Sequence, residues 1–106
     1  MNEIEKFLPL GSICLFKGTK RKSIIVGYFA RTERDSDKIC DYMVYPYPVG
    51  ACDGSKILVF NHKDIEKVYY IGYNDKSQKK FNEKMIGVSK ELEKIIEEKK
   101  GEKKND

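Results

Sequence analysis

Between residues 12 and 73 the apolar residues come in short bursts separated by polar turns, and after residue 74 they recur at a helical spacing. Ile4, Phe7, Leu8 and Leu10 lead through Pro9 and Gly11 into a first β-branched and aromatic run, residues 12–17, which predicts a strand. Gly18, Thr19, Lys20, Arg21 and Lys22 make a basic hairpin loop. Residues 23–30 predict a second strand, with Ile24, Val26 and Tyr28 on one face and Ile25, Gly27 and Phe29 on the other. Both faces are apolar, as in a strand covered on two sides.

Residues 31–38 are a charged loop, and a third strand runs from Ile39 to Tyr45, where Pro46 and Pro48 lack the amide needed to continue a ladder. Residues 57–60 are a short fourth strand. Asn61 opens one helical turn, with Asp64 placed to reach back as in a capping box. Residues 66–73 make a fifth strand. Five short strands on mostly short connections predict an α+β protein: a small twisted antiparallel five-stranded sheet or an SH3-like barrel, followed by a C-terminal helix.

That helix, capped by Asn74 or Asp75, is predicted over about 75–100. Phe81, Met85, Val88, Leu92 and Ile95 form a narrow apolar stripe, which Ile86 and Ile96 broaden. Gly101 is expected to stop it and residues 101–106 to fray, so that residues 1–100 make one β-rich domain. At about 1.5 Å per residue the helix outruns so small a body. Leu92, Ile95 and Ile96 are therefore candidates for a partner helix or for a homodimer.

Composition narrows the functions open to such a fold. The 106 residues suffice for one core, and 36% of them are charged. The net charge of +4 lies wholly in residues 1–89, where 15 basic groups meet 11 acidic ones. That is a mild bias towards acidic partners, short of the dense stripe of a dedicated nucleic-acid binder. Cys14, Cys40 and Cys52 have no C-x-x-C spacing, and with His62 as the single histidine they make no familiar zinc site. We expect no metal and no cofactor. The N-terminus lacks the apolar run of a signal peptide, and no stretch approaches the roughly 20 apolar residues that span a bilayer. A reduced, cytoplasmic protein is the expectation, with no membrane partner.

Catalysis needs a nucleophile with a base, paired carboxylates or a metal cluster. His62 sits in the first turn after Asn61, with no orienting third group and no oxyanion motif, and Gly50 and Gly54 read as turn glycines. The chain is read as a non-enzyme. Two surface readings remain. Tyr45 and Tyr47, beside the prolines, either finish the core or form the aromatic surface enriched in protein interfaces. Lys20, Arg21 and Lys22 either cap a solvated hairpin or meet phosphates in a nucleic-acid-binding SH3-like or OB-like module.

The order of short motifs adds to this. Leu8-Pro9-Leu10-Gly11-Ser12, Lys17-Gly18, Ile24-Ile25-Val26-Gly27, Asp41-Tyr42, Tyr47-Pro48-Val49-Gly50, Phe60-Asn61-His62-Lys63-Asp64-Ile65 and Ile71-Gly72-Tyr73 follow one another closely. Together, over roughly residues 7 to 81, they resemble a family of small Firmicutes proteins of formally unknown function, encoded beside the LXG-domain toxins of the type VII secretion system. The resemblance implies a cytoplasmic accessory protein, an adaptor or chaperone that binds an LXG toxin before export, with a helical LXG domain as its target. A toxin-neutralising immunity protein is the alternative within the same setting. The family supplies no agreed functional residues, and none is carried over.

Overall fold

The structure, a computed structural model, describes residues 6–31 and 38–104, so most of the predicted charged loop lies outside the described residues. In the terminal helix the side chains of Ile96 and of residues 99–104 are also outside them. The chain divides into two units after Asn74, at the point where the apolar period changes.

The first unit is an antiparallel sheet of five strands. β1 (Ile13–Phe16), β2 (Ser23–Arg31), β3 (Ile39–Pro46) and β4 (Leu58–Phe60) follow as a meander; a 3-10 turn (His62–Asp64) then leads to β5 (Ile65–Tyr70). Because β5 returns to pair with β1, the order across the sheet is β4-β3-β2-β1-β5. β4 and β5 are its two edges, so of the two forms expected the open sheet is the one adopted. β3 ends at Pro46, as the missing amide requires. β5 stops at Tyr70, short of the predicted residue 73, and beyond it the Gly72 amide donates to Ser12 Oγ at 2.9 Å instead of to a ladder.

The predicted faces of β2 are overturned by a bulge. Ile25 pairs with Val44 and Gly27 with Met43, so Val26 is an extra residue opposite nothing. Before it the inward residue is odd, namely Ile25, fully buried as is its partner Val44. After it the inward residues are even: Tyr28 lies opposite the fully buried Tyr42, and Ala30 is buried too. A strict alternation cannot anticipate that change of parity, because it assumes one residue per step on both strands.

A second departure follows at Phe29, which holds a left-handed φ of 54°. Neighbours along a regular strand face opposite sides, yet the Phe7 ring meets Tyr28 at 5.8 Å and Phe29 at 5.3 Å between centroids. The left-handed turn brings both rings onto Phe7, at a cost of about 1–2 kcal/mol for a residue with a Cβ.

The sheet is strongly curled. β1 and β4 stand three strand spacings apart, roughly 14 Å if the sheet were flat. Nevertheless Phe16 of β1 and Phe60 of β4 stack at 4.6 Å with their planes 8° apart. The inner face so formed holds the core: Phe7, Leu8, Cys14, Phe16, Ile25, Ala30, Tyr42 and Val44 are all buried.

The second unit is one helix, α1 (Lys76–Lys104). Asp75 caps it, its Oδ1 accepting from the Gln78 amide at 2.9 Å. Gly101 does not stop it, since a glycine within lysines and glutamates costs only about 1 kcal/mol relative to alanine. No described helix is long and apolar enough to cross a membrane.

Candidate functional site

The polar residues of the motifs meet on the inner side and satisfy one another. Tyr42 Oη accepts from the Leu8 amide at 3.0 Å and lies 2.7 Å from His62 Nδ1. Tyr28 Oη donates to the Leu8 carbonyl at 2.5 Å, so this one residue is held from both backbone groups. The Asp41 carboxylate accepts from the His62 amide at 2.9 Å and from Lys6 Nζ at 3.2 Å. The Asp41 amide in turn donates to Asn61 Oδ1 at 3.1 Å. Asp64 Oδ2 accepts from the Asn61 amide at 3.0 Å, the reach-back predicted of a capping box.

A second clasp closes the start of the chain over β5. Ser12, fully buried, donates its hydroxyl to the Pro9 carbonyl at 2.7 Å and accepts from the Gly72 amide at 2.9 Å. Gly72 is the residue this contact requires. A Cβ there would stand 2.0 Å from the Leu10 carbonyl oxygen, which is backbone and cannot swing aside.

Burial raises the two inner acids. The Cys14 thiol is pushed up to about 11, and the Tyr42 phenol rises well above its ordinary value, chiefly by desolvation. Both are neutral at physiological pH. All three cysteines are thiols, Cys14 buried and Cys52 exposed. Among the described residues no group of three or more His, Cys, Asp or Glu side chains is arranged to hold a metal ion.

The outer face is built differently. The ladders place Tyr45 opposite Ile24, Ile24 opposite Ile13 and Ile13 opposite Tyr70, an apolar row across β3, β2, β1 and β5. Beside that row the Tyr47 amide donates to the Lys22 carbonyl at 2.9 Å. Lys22 Nζ stands 4.5 Å from the centre of the Tyr69 ring, and Lys67 Nζ stands 4.9 Å from it. Tyr69 occupies a bulge, because Cys14 pairs with Val68 and Ile13 with Tyr70. Lys17, Lys20 and Arg21 continue the positive charge along the exposed β1–β2 loop.

Two sequence candidates treated as separate therefore adjoin: the tyrosine segment and the basic run meet at Lys22. Tyr47 is exposed, Tyr45 is half-buried, and Lys20, Arg21 and Lys22 are exposed. On α1, Ile95 is exposed and Leu92 half-buried, while the side chain of Ile96 lies outside the described residues. The sequence reading missed Lys67, Tyr69 and Tyr70. Their signal was adjacent tyrosines on a strand whose two faces cannot both be core.

These features define a small α+β domain: an open five-stranded sheet, closed on its inner side by its own N-terminal segment and followed by one helix. The chain belongs to the family described as Domain of unknown function (DUF4176), whose model matches residues 7–81. No curated protein and no solved structure matches it.

Proposed function

We propose that the chain is a protein-binding accessory factor, an adaptor or chaperone for an LXG toxin of the type VII secretion system, acting in the cytoplasm without cofactor or turnover. One observation carries the protein-binding part. Large apolar side chains crowd one margin of the sheet unit: Leu10 is 51% exposed, Tyr70 58%, Ile71 53% and Tyr73 81%. Gly72, pressed against the Leu10 carbonyl, holds the neighbouring Ile71 and Tyr73 beside Leu10. Surface of that composition is typical of protein interfaces, where aromatic residues are enriched. The histidine and acidic residues of the inner side are occupied with one another, which suits a structural role for them. The LXG partner rests on the order of motifs along residues 7–81.

Co-expression with the neighbouring LXG protein, its N-terminal domain and toxin domain tested separately, decides the reading. Capture of the N-terminal domain at low and high salt is the expected result. Capture of the toxin domain alone would make the chain an immunity protein, and capture of neither would remove the assignment.

A further inference from the structure

We propose that the outer face of the sheet seats an amphipathic, acidic helix of the partner protein, its apolar stripe on the Tyr45–Ile24–Ile13–Tyr70 row and its carboxylates on Lys22 and Lys67. This deepens the protein-binding reading and rests on it. Three observations select the occupant.

The first is charge. Lys17, Lys20, Arg21, Lys22 and Lys67 gather along one side of the row, and among the described residues none of them has a carboxylate within ion-pair distance. Like charges held together unpaired favour an anionic partner.

The second separates a protein from a nucleic acid. The Tyr69 ring is engaged by two ammonium groups, at 4.5 and 4.9 Å, so it is not an open platform for a base. Ile13 and Ile24 in the adjoining row are half-buried, and what they leave exposed is aliphatic surface, which apolar side chains cover and bases do not stack upon. A carboxylate meeting the ammonium groups beside an apolar stripe satisfies both parts.

The third is the state of the edges. β4 has only three residues, and β5 carries irregularities at Glu66 and Tyr69. Short and bulged edges resist the addition of a strand. This favours docking by side chains over the addition of a strand. The apolar row crosses three strand spacings, roughly 14 Å, and anchors at i, i+4 and i+7 of a helix extend over about 10 Å.

The test uses the full chain and fluorescein-labelled helical peptides of leucine with glutamate, leucine with lysine, and, as a third probe, labelled oligothymidylate. The leucine–glutamate peptide should bind, and Lys22→Ala with Lys67→Ala should weaken it about tenfold. Tyr70→Ser should also weaken it, at the apolar row. Lys38→Ala with Lys56→Ala, the same change of charge at exposed positions elsewhere, should leave it unaltered. Equal loss in both double variants would reduce the effect to net charge and overturn the proposal. Oligothymidylate binding with the same dependence on Lys22 and Lys67 would overturn it in favour of nucleic acid. The LXG capture experiment, repeated with the Lys22→Ala, Lys67→Ala chain, separates the two readings. Undiminished capture sinks the outer-face site and spares the adaptor. Peptide binding as expected with no LXG capture does the reverse.

Discussion

The two faces of one sheet use the same residue types to opposite ends. On the inner face tyrosine hydroxyls are consumed: Tyr28 and Tyr42 bond both backbone groups of Leu8, and Tyr42 also reaches His62. On the outer face Tyr47 and Tyr69 are exposed, and the lysines at Tyr69 have no carboxylate within ion-pair distance among the described residues. Several of the motifs, from Leu8 to Ser12, Asp41-Tyr42, Asn61 to Asp64 and Gly72, belong to the clasps. They report how the sheet is closed. Of the outer surface proposed to bind a partner, Ile13, Lys22, Lys67, Tyr69 and Tyr70 lie outside those motifs.

The sharpest way to break this contrast is Gly72→Ala. It forces a carbon onto the Leu10 carbonyl, and we expect a loss of about 3 kcal/mol or more in urea unfolding. Tyr42→Phe comes next. It leaves the buried Leu8 amide without its acceptor, for about 1–3 kcal/mol, while the outer-face peptide still binds. A null effect on stability would show that water replaces the hydroxyl and that the clasp is not closed.

The inner face also has a pH signature. The folded Cys14 thiol is raised from 9.0 to about 11, so the native chain keeps a proton that the unfolded chain has released. Its contribution is complete below pH 9 and is lost as pH rises towards 11. The urea midpoint should fall through that window, and less so in Cys14→Ala. Iodoacetamide should correspondingly label Cys52 in the folded protein and Cys14 only on unfolding. The smallest effect belongs to the outer face: Lys22→Ala with Lys67→Ala should move stability by no more than about 0.5 kcal/mol. A larger loss would make those lysines part of the architecture.

How much of this was legible in the sequence depends on the range of the interaction. β1 to β5 and α1 were readable because apolar period, prolines and the Asn61 turn are local signals. The shift of inward residues in β2 was not, since the bulge at Val26 is fixed by the partner strand β3. The clasp of Ser12 on Gly72 joins residues 60 apart in the chain, so neither residue announces it. The outer surface was half-read. Tyr47 and Lys22 were each singled out, yet only the ladder that ends with the Tyr47 amide on the Lys22 carbonyl puts them side by side. The placing of Tyr69 at Lys22 depends on a bulge set by the pairing with β1, which has no local signal.

The left-handed backbone at Phe29 carries a consequence for motion. Its conformation is held by the Phe7 ring, and Phe7 precedes the Leu8 that Tyr28 and Tyr42 grip. If the N-terminal segment lifts, Phe29 loses the ring packed on it and is held only through the β3 pairing of its neighbours Tyr28 and Ala30, so its relaxation towards ordinary strand geometry would favour the opening. The amides of Leu8 and of the far end of β2 should then exchange with solvent as one cooperative unit, faster than those of β1, like a latch and the spring beneath it.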